Sequence, residues 1–209
     1  MAFLAADDFV AELKTRPFPD VLKEHVLTGL PYVFRSRPRN ADTLYDYVSK
    51  QLGVSPGDVK IVGSARTGFS LNPDTFPRKF IQSSDIDVIV VDQKLFDKIW
   101  LTLLAWHYPR RGSKLAEPDA NWARERRKDV YWGWFFPTKI RFEGLSFPDS
   151  LKPLRDFAAR WFNVFQSLSQ FPEFATRTVS GRLYRTWDHA YAYHIEGLRK
   201  IKEITARSN

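Results

Sequence analysis

The chain has 209 residues, 44% of them hydrophobic and 15% aromatic, which is enough for one packed domain and too apolar for global disorder. It has no cysteine, so a disulfide framework, a thiolate metal site and a cysteine nucleophile are excluded. The net charge of +8 suits a polyanionic partner such as nucleic acid or a nucleotide, and equally suits a merely soluble surface.

The N-terminal stretch "MAFLAADDFVAELK" has acids directly after a short apolar run and no basic segment before it, unlike a signal peptide. No apolar run approaches the roughly 20 residues needed to span a bilayer, so a cytoplasmic protein with no membrane partner is expected. Apolar residues at three- and four-residue spacing predict helices in "ADDFVAELK", "FPDVLKEHVLTG" and "NADTLYDYVSKQLG". In the last of these, Asp42 suits the start and Gly53 the stop. "SPGD" at 55–58 is a turn, and "VKIV" enters a short strand that ends at Gly63.

Residues 72–82, "NPDTFPRKFIQ", form a loop with two prolines. "SDIDVIVVD" is the strongest strand pattern, an unbroken β-branched run of the kind buried on both faces. Helices are expected over "QKLFDKIWLTLLAWH", "DANWARERRK", "LKPLRDFAARWFNVFQSLSQF" and "WDHAYAYHIEGLRKIKEIT". "TKIRFEGLSF" reads as a strand, and "TRTVSGRLYRT" as a strand or hairpin. This order predicts an α+β fold with helices at both ends of a small sheet. The expected layout is one domain over 1–209, with its core at about 40–147 and a helical extension at about 151–209.

The chemistry concentrates in "VGSARTGFS" and "SDID". Gly63 and Gly68 have the glycine spacing of a P-loop, but Phe69 stands where that motif needs lysine. In a strand, side chains repeat every two residues, so Asp85 and Asp87 point one way and Ile86 points into the core. Two carboxylates so close repel unless a cation lies between them. Magnesium prefers such oxygen ligands and shares them with substrate phosphates. Gly63 permits close backbone approach to a phosphate, and Ser64 offers a hydroxyl and an amide at the start of a short helix.

A strand, then Gly63-Ser64, then a strand bearing Asp85-x-Asp87 with Ser84 before it, resembles the DNA polymerase beta-like nucleotidyltransferase superfamily. The likeness covers roughly residues 58–107 and implies a nucleotidyltransferase-type sheet. It also implies a magnesium-dependent enzyme that binds an NTP such as ATP. In that superfamily the serine holds the terminal phosphates and the aspartates bind two magnesium ions. A hydroxyl on RNA, a protein or a small molecule then attacks the α-phosphate. Members of this size work in bacterial toxin–antitoxin and phage-defence systems. The interval from Ser64 to Asp85 is longer than in minimal members. A third carboxylate is expected on a later strand, and Glu143 is the best candidate. Without one, the protein would be an inactive nucleotide- or nucleic-acid-binding module. Arg66, just after the glycine-serine pair, is expected to meet the triphosphate.

Between Arg110 and Lys128, seven basic residues stand against three acids, with Trp106, Trp122, Trp132 and Trp134 around them. This is either a clamp for an RNA or DNA acceptor or a solvated helix face over buried tryptophans. Trp187, Tyr191, His194 and Leu198 form one helical stripe, so His194 reads as packing. The group "GRLYRTW" at 181–187 has no assigned role.

Overall fold

The computed structural model describes residues 3–112, 114–140, 149–174 and 177–207. Helix α1 spans Ala6–Thr15, and α2, Phe18–Val21, runs on into a π-helical turn at Leu22–Leu27. Helix α3, Arg39–Leu52, begins after Pro38, so Asp42 lies inside its first turn instead of capping it. Gly53 ends α3 in the left-handed conformation at φ +73°. Strand β1, Val59–Val62, leads through Gly63 into the single turn α4, Ser64–Thr67. Strand β2 is Ile86–Val91, and Asp92 caps the following helix α5, Gln93–His107, by accepting from the Leu95 amide at 2.7 Å. Helix α6, Asp119–Trp132, is followed by β3, Trp134–Phe135. Then come α7, Lys152–Ser169, strand β4, Val179–Tyr184, and α8, Trp187–Arg207.

The fold is α+β. Among the described residues a four-stranded mixed sheet has the order β1-β2-β4-β3, with β2 and β4 parallel and the outer pairs antiparallel. The region after residue 151 is therefore more than a helical extension, because it supplies a central strand. Among the described residues it does so as one strand, with no hairpin. The strand expected over "TKIRFEGLSF" begins in a 3-10 turn at Pro137–Lys139, while residues 141–148 lie outside the described residues. Pro137, which has no amide proton to give a sheet, starts that turn.

Both faces of β2 are covered. Ile86, Val88 and Val90 enter one apolar core with Leu44 and Val48 of α3, Phe96 and Ile99 of α5 and Trp161 and Phe165 of α7. Ile89 and Val91 enter a second core with Phe9 and Leu13 of α1, Val62, Tyr184 and Leu198 of α8. Full burial of each such side chain contributes about 1.5–3 kcal/mol.

Gly181 lies where β4 crosses α7. A methyl group there would come within 2.2 Å of the Phe165 ring, which is buried against Trp161 with ring centres 5.2 Å apart. Gly181→Ala is expected to destabilise the fold by about 1–3 kcal/mol, as overpacking does. Denaturant titration measures this, and Phe165→Leu in the same chain should recover part of the loss.

Candidate functional site

The sheet face that carries the second core is covered by α8 only over part of its length. At the other end, Asp87, Ser180 and Arg182 share that face and line a cavity of about 1090 Å³. The same cavity takes in Gly63, Ser64, Ser84 and Asp85. Five of the seven residues expected at the site are therefore brought together: Gly63, Ser64, Ser84, Asp85 and Asp87. The other two are Arg66 and Glu143.

Gly63 is required twice at this corner. Its backbone has φ +65°, which side-chain-bearing residues rarely adopt, and an added Cβ would lie 3.1 Å from Asp87 Oδ2. Register sets the rest: Val62 pairs with Asp87 on one side of β2, and Ser180 pairs with Asp87 on the other. The Ser180 hydroxyl donates to Asp87 Oδ1 at 3.1 Å. Asp87 is open to the cavity yet crowded by its walls, and this desolvation raises its pKa. The Ser180 hydrogen bond opposes the rise, and the charge of Asp85 adds to it.

Asp85 precedes β2, at the end of a loop that Arg177 straps down. The Arg177 guanidinium donates to the carbonyls of Ile81 at 2.7 Å, Gln82 at 2.5 Å and Ser84 at 2.9 Å. The Ser84 hydroxyl in turn accepts from the Ile81 amide at 3.0 Å. The two-proline loop also belongs to the site. It folds back through a Phe69–Lys79 bridge, and its Leu71, Asn72, Asp74, Thr75 and Arg78 line the cavity.

Arg66 does not join them. It is buried on the far side of α4, where it donates to the carbonyls of Leu30 and Glu24. Its role is to tie α4 to the N-terminal helices. Glu143 lies outside the described residues. Among the described residues, no group of three His, Asp or Glu side chains gathers as a metal cage would require.

The basic stretch is largely engaged along its own helix. Arg126 pairs with Asp129 at 2.9 Å, Lys128 with Glu125 at 2.8 Å, and Arg124 donates to Asn121 at 2.7 Å. Trp106 and Trp122 are buried, as the solvated-face reading expects. Tyr131 and Trp132, at the end of α6, instead line the cavity and are 77% and 59% exposed.

Sequence reasoning missed Ser180, Arg177 and the place of Arg182. The Arg182 guanidinium lies 3.9 Å from the centre of the Phe136 ring and 4.2 Å from that of Tyr193, and it donates to the Tyr184 hydroxyl at 3.0 Å. Only the pairing of arginines and aromatics in "GRLYRTW" hinted at this.

Comparison of the chain with protein-family models, curated proteins and solved structures returned no match. No helix among the described residues is long and apolar enough to cross a membrane.

His194 lies in the cavity wall with its Nε2 enclosed and without a hydrogen-bond partner. Burial, and then the charge of Arg182, lower its pKa to about 4. The unfolded chain, with an ordinary imidazole, binds the proton first. Stability is therefore expected to fall as pH drops from about 6.5 towards 4. His194→Gln should flatten that part of the stability profile, measured by denaturant titration across the range.

Proposed function

We propose that the protein is a magnesium-dependent nucleotidyltransferase that moves a nucleoside monophosphate from an NTP to a hydroxyl acceptor. The observation that carries this reading is the convergence of Asp85 and Asp87 with the Gly63–Ser64 turn in one cavity large enough for a nucleotide. The donor set fits a hard divalent cation. Two carboxylates stand one residue apart, and the crowded Asp87 is further disfavoured as an anion by Asp85. Asp85 and Asp87 would hold the metal, which supplies charge neutralisation for the phosphates and the leaving oxygen.

The chain's own groups account for the rest. Ser64 offers its hydroxyl to the phosphates, and Gly63 keeps that flank of Asp87 free of a side chain. Ser180 fixes the orientation of Asp87. The loop from Leu71 to Arg78 walls the cavity against water, with Arg78 available to the phosphates. In the reaction, the acceptor oxygen forms a bond to the α-phosphorus while the bond to the bridging oxygen breaks. Pyrophosphate leaves with the electron pair, and the hydroxyl proton passes to cavity water.

One observation favours a second reading. The position beside Asp87 on the neighbouring parallel strand, where another carboxylate could join the pair, is Ser180. A nucleotide-binding module without turnover would need no more than that.

Asp85→Ala or Asp87→Ala is expected to abolish transfer and metal-dependent NTP binding while the fold is retained. Incubation with each labelled NTP, magnesium and a cell extract measures transfer, and label transferred by the double variant would refute the assignment. Ser64→Ala should weaken NTP binding by about 1–3 kcal/mol, the range for a hydrogen bond to a charged group. Calorimetric titration with magnesium present measures that loss.

A further inference from the structure

The two flanks of Asp87 differ in chemistry. Gly63 and Ser64 lie on the β1 side, and Ser180 and Arg182 on the β4 side. In the proposed reaction the first flank takes the NTP, so the second faces the other substrate. The cavity, at about 1090 Å³, is at the upper limit for a single small ligand and leaves room for part of a second one.

The β4 flank is built for a flat base joined to a phosphate. The Arg182 guanidinium lies over the Phe136 ring at 3.9 Å and the Tyr193 ring at 4.2 Å, with Trp134 at 5.0 Å. These ring contacts hold the group still and leave its N–H groups as donors, and one of these goes to Tyr184. A fixed guanidinium edge is suited to two oxygens of one phosphate. At the rim, Tyr131 and Trp132 expose their rings, in edge contact with centres 5.0 Å apart, where an unstacked base could lie. A chain of net charge +8 attracts such a polyanion.

We infer that the acceptor is the 3′-hydroxyl end of a single-stranded nucleic acid, with its last internucleotide phosphate on Arg182 and a base on the Tyr131–Trp132 ledge. The role as acceptor rests on the nucleotidyltransferase reading; the strand site itself does not.

The test is fluorescence anisotropy of a labelled oligoadenylate of about 12 nucleotides, within the usual site sizes for single strands. It is run in calcium, which fills the carboxylate pair without supporting transfer. Trp132→Ala and Arg182→Met should each weaken binding about tenfold, and Arg182→Lys should recover only part of the loss. Trp132 is exposed, so its variant tests the site even if Arg182→Met fails to fold. Equal affinity in wild type and Trp132→Ala, or equal affinity for a duplex of the same length, overturns the inference. So does a loss confined to Arg124→Ala with Arg127→Ala, which would put the strand on α6. Transfer of labelled NTP is scored separately. Strand binding that depends on Trp132 and Arg182 without any transfer keeps the strand site and removes the enzyme. Transfer to a protein or small molecule that Arg182→Met leaves unchanged removes the acceptor and keeps the enzyme.

Discussion

Burial of β2 on both faces is the constraint from which the site follows. Val88 and Val90 are enclosed by α3, α5 and α7, while Ile89 and Val91 are enclosed by α1 and α8. A charge anywhere along that run would have to be desolvated without a partner, at a cost of several kcal/mol. Only the first turn of the strand, where α8 no longer covers the sheet, can carry carboxylates. Asp85 and Asp87 occupy that end, and the cavity is the space that the second core does not fill.

Neighbouring strands then determine what the carboxylates meet. β1 ends beside Asp87 in a glycine that must have no side chain, and β4 begins beside it with a serine that donates to it. The aromatic wall depends on Gly133 in a similar way. A methyl group there would collide with the His189 ring at 1.9 Å, so this glycine is what lets α6 turn into β3 with Trp132 and Trp134 on either side of it.

The parts written in local pattern were legible in the sequence. The β-branched run of β2, the carboxylates at its head, the glycine-serine turn and the long helices all follow from periodicity or from residues a few positions apart. Arg66 was misplaced because adjacency in sequence is not adjacency in direction. Two residues along a helix is a rotation of about 200°, which turns Arg66 away from Ser64. β3 is only Trp134–Phe135, too short to show a period. Ser180, Arg182 and Arg177 belong to a segment 90 or more residues beyond the aspartates. No local signal reports that β4 inserts between β2 and β3.

That insertion sets the order in which the molecule can be assembled. β1 and β2 are close in sequence and can pair early, but the other edge of β2 waits for a strand that begins at Val179, far along the chain from Val91. Until β4 arrives, a flat, apolar edge is open to pairing with other chains. The loop before Asp85 also lacks its Arg177 strap. A nascent or truncated chain thus carries both aspartates but neither the clamp nor the Ser180 contact. Completion of the cavity is tied to the docking of β4, a long-range contact of the kind that forms late.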